Sequence, residues 1–294
     1  MEIGVCLPYM ERDTTRALLL EWFRRLEAGP FSSLSCGERI TGGSQEMRAL
    51  LAGAAAVTER IRIMPSLYVL PMHSAVWAAK EIATLDLLSE GRVTVCVGVG
   101  GREDDYRAVG ASFTRRHARM DEQVAEMRRV WAGEPPFEGA DEVGPRPIQP
   151  GGPPILAGAM GPKAIRRAAA WAQGIYAWSG NGQAPEIKRI FDLAEAGWSR
   201  AGRGEAPRRT AGFWYSLAPS GGEKLRRYVY DYLKILGEKR ARVAAKAMDR
   251  CTPDAVRASL DALEELGCEE VILVPATNEL AEIDGALEVL AARS

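Results

Sequence analysis

Val93-Thr94-Val95-Cys96-Val97-Gly98-Val99 is an almost unbroken run of β-branched and small apolar residues. A strand with one wet face alternates polar with apolar, so a run without alternation reads as a parallel strand buried on both faces. Helical periods flank it. Val76, Ala79, Ala83 and Leu87 share one helix face upstream, and Ser89-Glu90-Gly91-Arg92 ends that helix with a glycine suited to a left-handed cap. Downstream, after a polar loop, Met120, Val124, Met127 and Trp131 mark a long helix.

The same alternation extends in both directions. Ile3 to Leu7, Phe31 to Gly37 and Ile61 to Leu70 read as earlier strands, with helices carrying Leu18, Leu19, Trp22, Phe23 and Leu26, and then Ala49 to Thr58, between them. Ile155 to Gly158, Gly174 to Trp178, Ala211 to Leu217 and Val271 to Val274 read as later strands. Ile165, Ala168, Ala169 and Ala172 face one way after the first of these, and Val256, Leu260, Leu263 and Leu266 do so before the last. Thr252-Pro253 caps the latter helix, and Leu280, Ile283, Leu287 and Leu290 close the chain helically. The Pro- and Gly-rich stretch from Gly133 to Gly152 reads as a loop inside the fold, because the alternation resumes unchanged after it. Eight βα units in 294 residues fit one closed (β/α)8 TIM barrel over 1–294 better than an open doubly wound sheet. A dinucleotide fold would place G-x-G-x-x-G after the first strand, where Leu7-Pro8-Tyr9-Met10 stands instead.

Composition narrows the function. With 47% hydrophobic and 26% charged residues, the chain reads as soluble and globular. A net charge of −1 predicts no nucleic acid and no anionic membrane as partner, and leaves a small molecule. No apolar run approaches the roughly 20 residues that cross a bilayer, and the first ten residues lack the pattern of a secretory signal, so a cytoplasmic location is expected. The five cysteines form no C-x-x-C pair and the histidines number two, which predicts neither disulfides nor a metal centre.

In a barrel the site sits at the C-terminal ends of the strands. That rule nominates Pro8 and Tyr9; Cys36, Glu38 and Arg39; Ser66 and Leu67 onward to His73; Val99 to Asp105; Gly158 to Pro162; Trp178 and Ser179; and Trp214 and Tyr215. Each has a structural alternative. Glu38 and Arg39 can bind a polar ligand or pair to hold a loop. His73 can shuttle protons or start a helix, and the aromatics can wall a pocket or close the barrel. Gly158-Ala159-Met160-Gly161-Pro162 can present backbone N–H groups to a phosphate or merely turn the chain into a helix.

Thr58-Glu59-Arg60-Ile61-Arg62-Ile63, Tyr68-Val69-Leu70-Pro71-Met72-His73, Ala79 to Arg92 and Gly98-Val99-Gly100 together resemble the bacterial luciferase-like superfamily. Its members are flavin-dependent monooxygenases and coenzyme F420-dependent oxidoreductases on a TIM barrel. The match continues through Gly158 to Lys163 and Thr252 to Val274. The resemblance implies a non-proline cis peptide at Ser66–Leu67 beneath the cofactor ring. It implies ring and ribityl contacts at Val99, Gly100 and the loop through Asp104, and a cofactor phosphate at Gly158, Ala159, Met160, Gly161 and Pro162. Tyr9, Cys36, Trp178, Trp214 and Tyr215 would then shape the substrate pocket, with Glu38, Arg39 and His73 as catalytic candidates.

The chain departs from the resemblance in two places. Several F420-dependent members carry Asp-His after strand two and Glu soon after strand four, where this chain has Glu38-Arg39 and Gly101. Arginine is a poor proton acceptor, which argues against sugar-phosphate dehydrogenase chemistry. The implied activity is hydride transfer with reduced F420. The alternatives are an FMN-dependent monooxygenase acting through a flavin hydroperoxide and a non-catalytic flavin-binding barrel. Family members are often dimers, so a homodimer is implied.

Overall fold

The computed structural model describes residues 1–293. Ser294, which the expected domain includes, lies outside the described residues. Eight parallel strands form a closed barrel in chain order, β1 next to β2 and so on round to β8 beside β1. They are β1 (Glu2–Cys6), β2 (Ser33–Cys36), β3 (Arg62–Tyr68), β4 (Val95–Val97), β5 (Ile155–Ala157), β6 (Gly174–Trp178), β7 (Arg208–Tyr215) and β8 (Glu270–Pro275). Each matches an expected strand. The regular part of β4 is shorter than the apolar run predicts, because Val93 makes only an isolated bridge to Ile63 before the strand begins. Strand β7 starts three residues before the expected Ala211, where Arg208 pairs with Gly174.

Helices α1 (Arg16–Ala28), α2 (Met47–Val57), α3 (Ala75–Leu88), α4 (Glu103–Ala108), α5 (Arg116–Trp131), α6 (Pro162–Ala168) and α7 (Ala184–Arg200) follow the first six strands. Helices α8 (Gly221–Leu233), α9 (Glu238–Lys246) and α10 (Pro253–Glu265) separate β7 from β8, and α11 (Ala281–Ala291) follows β8. Local chemistry sets their ends. Thr252 caps α10 through its hydroxyl, which accepts from Ala255 N, a contact worth about 1 kcal/mol. Gly91, at φ +81°, lets its N–H reach back to Asp86 O and close α3. Residues 133–152 hold neither helix nor strand. Among the described residues no helix is long and apolar enough to cross a membrane.

The two ends of the barrel differ. At the N-terminal ends of the strands, buried Glu270 accepts hydrogen bonds from Ser33 Oγ (2.6 Å) and Ser32 Oγ (2.8 Å) and pairs with Arg62 (2.7 Å) and Arg208 (3.0 Å). Glu2 adds a second carboxylate to both guanidiniums, so charge balances there and the end is closed. The C-terminal ends open into a cavity.

Candidate active site

A cavity of about 420 Å³ lies over the C-terminal ends of the strands, within the range of small-ligand and cofactor sites, about 300–1,000 Å³. Its floor is built from backbone. The Ser66–Leu67 peptide is cis, and both residues line the cavity with Gly100, Gly101 and Gly158. Leu67 packs so closely beneath Gly98 and Gly158 that a Cβ on either glycine would strike its side chain. The glycines leave room there for the Leu67 side chain.

The opposite wall is aromatic. Trp178 and Trp214 meet edge to face with centroids 4.8 Å apart, Trp214 meets Tyr232 at 5.3 Å, and Tyr228 and Tyr232 stack at 6.2 Å. Tyr9 and Tyr176 complete it. Burial lifts the Cys6 thiol to about 11 and the Tyr9, Tyr176 and Tyr228 phenols well above their ordinary values, so these walls stay neutral at working pH.

Glu38 brings charge into this apolar space. Its carboxylate is 3% exposed; Oε1 lies 2.7 Å from His73 Nε2, and Oε2 accepts the Val69 N–H at 2.7 Å. The imidazole that meets Glu38 comes from the loop after β3, not from the neighbouring position 39. Arg119 and Gln123 on α5 donate to the His73 carbonyl and hold that loop in place. Glu38 lines the cavity, whereas His73 stands behind it.

The expected site residues divide. Tyr9, Glu38, Ser66, Leu67, Gly100, Gly158, Met160, Trp178 and Trp214 line the cavity. Tyr215 does not: strand alternation turns it outward from its neighbour Trp214, and its hydroxyl donates to Glu282 O at 3.1 Å. Cys36 is buried with its Sγ 3.5 Å from Gly37 O, and Cys6 of β1 takes the place in the wall. Asp104 points to solvent beside Arg107, while the next residue along α4, Asp105, turns inward. Val99 contributes a carbonyl that accepts the Tyr106 hydroxyl at 2.5 Å.

At the expected phosphate loop, the Gly158 and Ala159 N–H groups are already donated to Val97 O and Ala157 O. Pro162 has none to offer. The N–H groups of Met160, Gly161, Lys163 and Ala164 have no acceptor among the described residues.

Sequence reasoning missed the region between β7 and β8. Tyr228 and Tyr232 on α8, with Leu233 and Leu236 just beyond, close the aromatic side of the cavity. Leu225, Tyr228, Val229 and Tyr232 recur at helical spacing, a signal that was present in the chain. Arg102 and Asp105 fall within the stretch nominated after β4, whereas Tyr106, one residue beyond it, was missed.

The family model for luciferase-like monooxygenases matches residues 1–282. The chain belongs to the luciferase-like monooxygenase family. An uncharacterized protein of Mycobacterium tuberculosis strain H37Rv is 34% identical over 169 residues, which cover 55% of this chain and 58% of that protein. The chain thus spans about half the length of the curated relatives it matches. Among solved structures, an F420-dependent secondary alcohol dehydrogenase in complex with an F420–acetone adduct superposes with TM-score 0.77 at 19% identity, covering 100% of this chain and 99% of that one. The oxygenating constituent of a type II Baeyer–Villiger monooxygenase from Pseudomonas putida, in complex with FMN, superposes with TM-score 0.74 at 16% identity, covering 99% and 95%. At these identities the two structures share the fold alone.

Proposed function

We propose that this chain is an oxidoreductase that holds a reduced flavin-type cofactor over Ser66–Leu67, coenzyme F420 in preference to FMN, and exchanges a hydride with a small organic substrate. The Glu38–His73 pair carries this reading. Hydride exchange at an alcohol or carbonyl needs a proton partner within reach of the same carbon, and Glu38 is the carboxylate that faces the cavity with an imidazole on its other side. The residues present fit a ring system: Gly100, Gly101 and Gly158 line the cavity without side chains, and a Cβ at Gly158 or Gly98 would displace the Leu67 side chain. Solved relatives of the same fold carry F420 or FMN.

Bound there, the cofactor supplies or accepts the hydride, which is its own chemistry. Ser66, Leu67, Gly100 and Gly158 would support the ring. The free N–H groups of Met160, Gly161, Lys163 and Ala164 would meet its phosphate at the start of α6. The aromatic wall excludes water and presses the substrate toward the floor. Glu38 takes or returns the substrate's proton at its carboxylate, while the His73 Nε2–H donated to Oε1 orients that carboxylate and stabilises its charge.

Ultraviolet–visible titration of the purified protein with reduced F420 and with reduced FMN tests the proposal. Tight F420 binding with hydride exchange to an added carbonyl supports it. Binding of FMN alone overturns the cofactor preference, and binding of neither overturns the function.

A further inference from the structure

We propose that Arg39 and Arg102 form an anion-binding subsite at the mouth of the cavity, which receives the carboxylate of an organic-acid substrate whose apolar body lies against the aromatic wall. The inference deepens the oxidoreductase reading by naming the substrate class, and rests on it to that extent.

Both guanidiniums are half-buried and nearly unpartnered. Arg39 Nε is buried without an acceptor, and its Nη1 finds only Met10 Sδ at 3.9 Å, a weak acceptor. Arg102 Nε is also buried without an acceptor, and the nearest carboxylate oxygen, Asp105 Oδ2, lies 3.7 Å away, beyond hydrogen-bond reach. Asp105 is committed elsewhere, since Oδ1 accepts from Thr41 N at 2.8 Å and Thr41 Oγ1 at 2.5 Å. Glu38, the other carboxylate of the cavity, is held by Val69 N–H and His73.

Other half-buried arginines have strong acceptors: Arg116, whose Nε is also buried without a partner, still donates through Nη1 to Phe113 O at 2.8 Å. Arg62 and Arg208 close on Glu2 and Glu270, and Arg92 donates to carbonyls of Ala55, Thr58, Ile61 and Ser89. Arg39 and Arg102, which lack such an acceptor, meet at the same place. Arg39 lies over the Tyr232 ring with its guanidinium carbon 5.9 Å from the centroid, at the outer limit of about 6 Å for a cation–π contact. Arg102 lines the cavity beside Tyr232, and both positive charges act on that half-buried phenol. They also act on one another: burial first, and then the Arg39 charge, hold Arg102 below its ordinary value.

Two like charges with unused forked donors, drawn together at the edge of low-dielectric space, are relieved by an anion that accepts from both. Trp178, Trp214, Tyr228 and Tyr232 then favour an aromatic or alicyclic body behind the acid group. The guanidiniums project from the loops after β2 and β4, whereas the free N–H groups suited to the cofactor phosphate follow β5.

The test titrates protein without cofactor with benzoate and with its neutral analogue benzamide, read by tryptophan fluorescence and calorimetry. Benzoate should bind at least about tenfold more tightly, as hydrogen bonds to a charged partner predict. Arg39→Gln and Arg102→Gln should each bring the two ligands to within about twofold, with Arg39→Lys intermediate. The lysine variants serve if the glutamine variants melt early. Equal binding of the two ligands, or a preference untouched by every substitution, overturns the proposal. A benzoate preference that survives while the variants lose affinity for F420 or FMN assigns the charges to the cofactor's phosphate, and also overturns it. Benzoate selectivity that depends on both arginines in a protein binding neither cofactor would sustain the anion site and overturn the oxidoreductase reading.

Discussion

Glu38 and His73 stand 35 residues apart in the chain, yet Glu38 Oε1 and His73 Nε2 meet at 2.7 Å behind the cavity wall. The second Glu38 oxygen anchors Val69, at the end of the cavity floor. One side chain thus joins the loop after β2 to the loop after β3 while lining the cavity.

Replacing Glu38 by Gln separates these duties. An amide oxygen still accepts from Val69 N, so the melting temperature should change by only a few degrees, while loss of the base should lower turnover roughly 10²- to 10⁴-fold. His73→Gln should reduce turnover less and flatten the pH profile of kcat/KM. Steady-state kinetics across pH, paired with thermal melts, checks both; unchanged turnover in Glu38→Gln would remove Glu38 from the chemistry.

Gly158→Ala tests the floor. The added Cβ would strike Leu67 Cδ2, the far end of a flexible side chain, so the fold should survive at a cost of about 1–3 kcal/mol. The displaced Leu67 side chain should lower cofactor affinity well beyond the loss of stability. Spectroscopic titration and urea unfolding on the same preparation read the two effects separately.

Glu270 should matter for stability alone. Removing its charge by Glu270→Gln leaves Arg62 and Arg208 with only Glu2, and breaking such a buried pair typically costs about 3–5 kcal/mol. Because this network lies at the opposite end of the barrel from the cavity, the fraction that remains folded should keep its KM. Chemical denaturation and kinetics at low temperature provide the check.

Glu282 predicts a pH effect. It is buried, has hydrogen bonds from Ser216 Oγ (2.7 Å), Leu217 N (2.6 Å) and Thr277 Oγ1 (2.9 Å), and burial raises its carboxyl above the ordinary value of 4.5. A raised folded-state value favours the protonated native form, so its contribution is fully present below about pH 4.5 and declines as pH rises through the folded value. Glu282→Gln mimics the neutral form, and the hydroxyls of Ser216 and Thr277 can reverse to accept from the amide. The variant should gain stability relative to the parent as pH rises from about 4.5 toward 7, in thermal melts at matched ionic strength.

Several motif residues behind the resemblance prove to be scaffold. Arg92 uses its guanidinium to bind the carbonyls of Ala55 and Thr58 at the end of α2 and of Ile61 before β3, and does not line the cavity. Gly91 closes α3. Tyr68, read with the His73 motif, turns away from the cavity to donate to Glu81 at 2.7 Å, while its ring edge supports His73 at 4.8 Å. Spacing in the chain shows that such residues belong to a pattern, but not whether their donors point at a substrate or at a neighbouring carbonyl.

What the chain determined by itself was the barrel: eight apolar strand runs, the helical periods between them and the caps at Gly91 and Thr252 are local properties, legible because burial imposes period 2 or 3.6 on nearby residues. The cavity end and much of its floor and aromatic wall followed, since barrel geometry assigns them to strand termini. Only the tertiary structure decided which neighbour faced inward. Trp214 and Asp105 line the cavity where Tyr215 and Asp104 do not, because a one-residue step reverses a strand side chain and swings a helical one by about 100°. It alone brought His73 to Glu38, carried Tyr228 and Tyr232 over the opening, and gathered Arg39 and Arg102, whose Nε atoms are buried without an acceptor. Those meetings join loops whose separation in the chain carries no periodic trace, and they exist only once the barrel has closed.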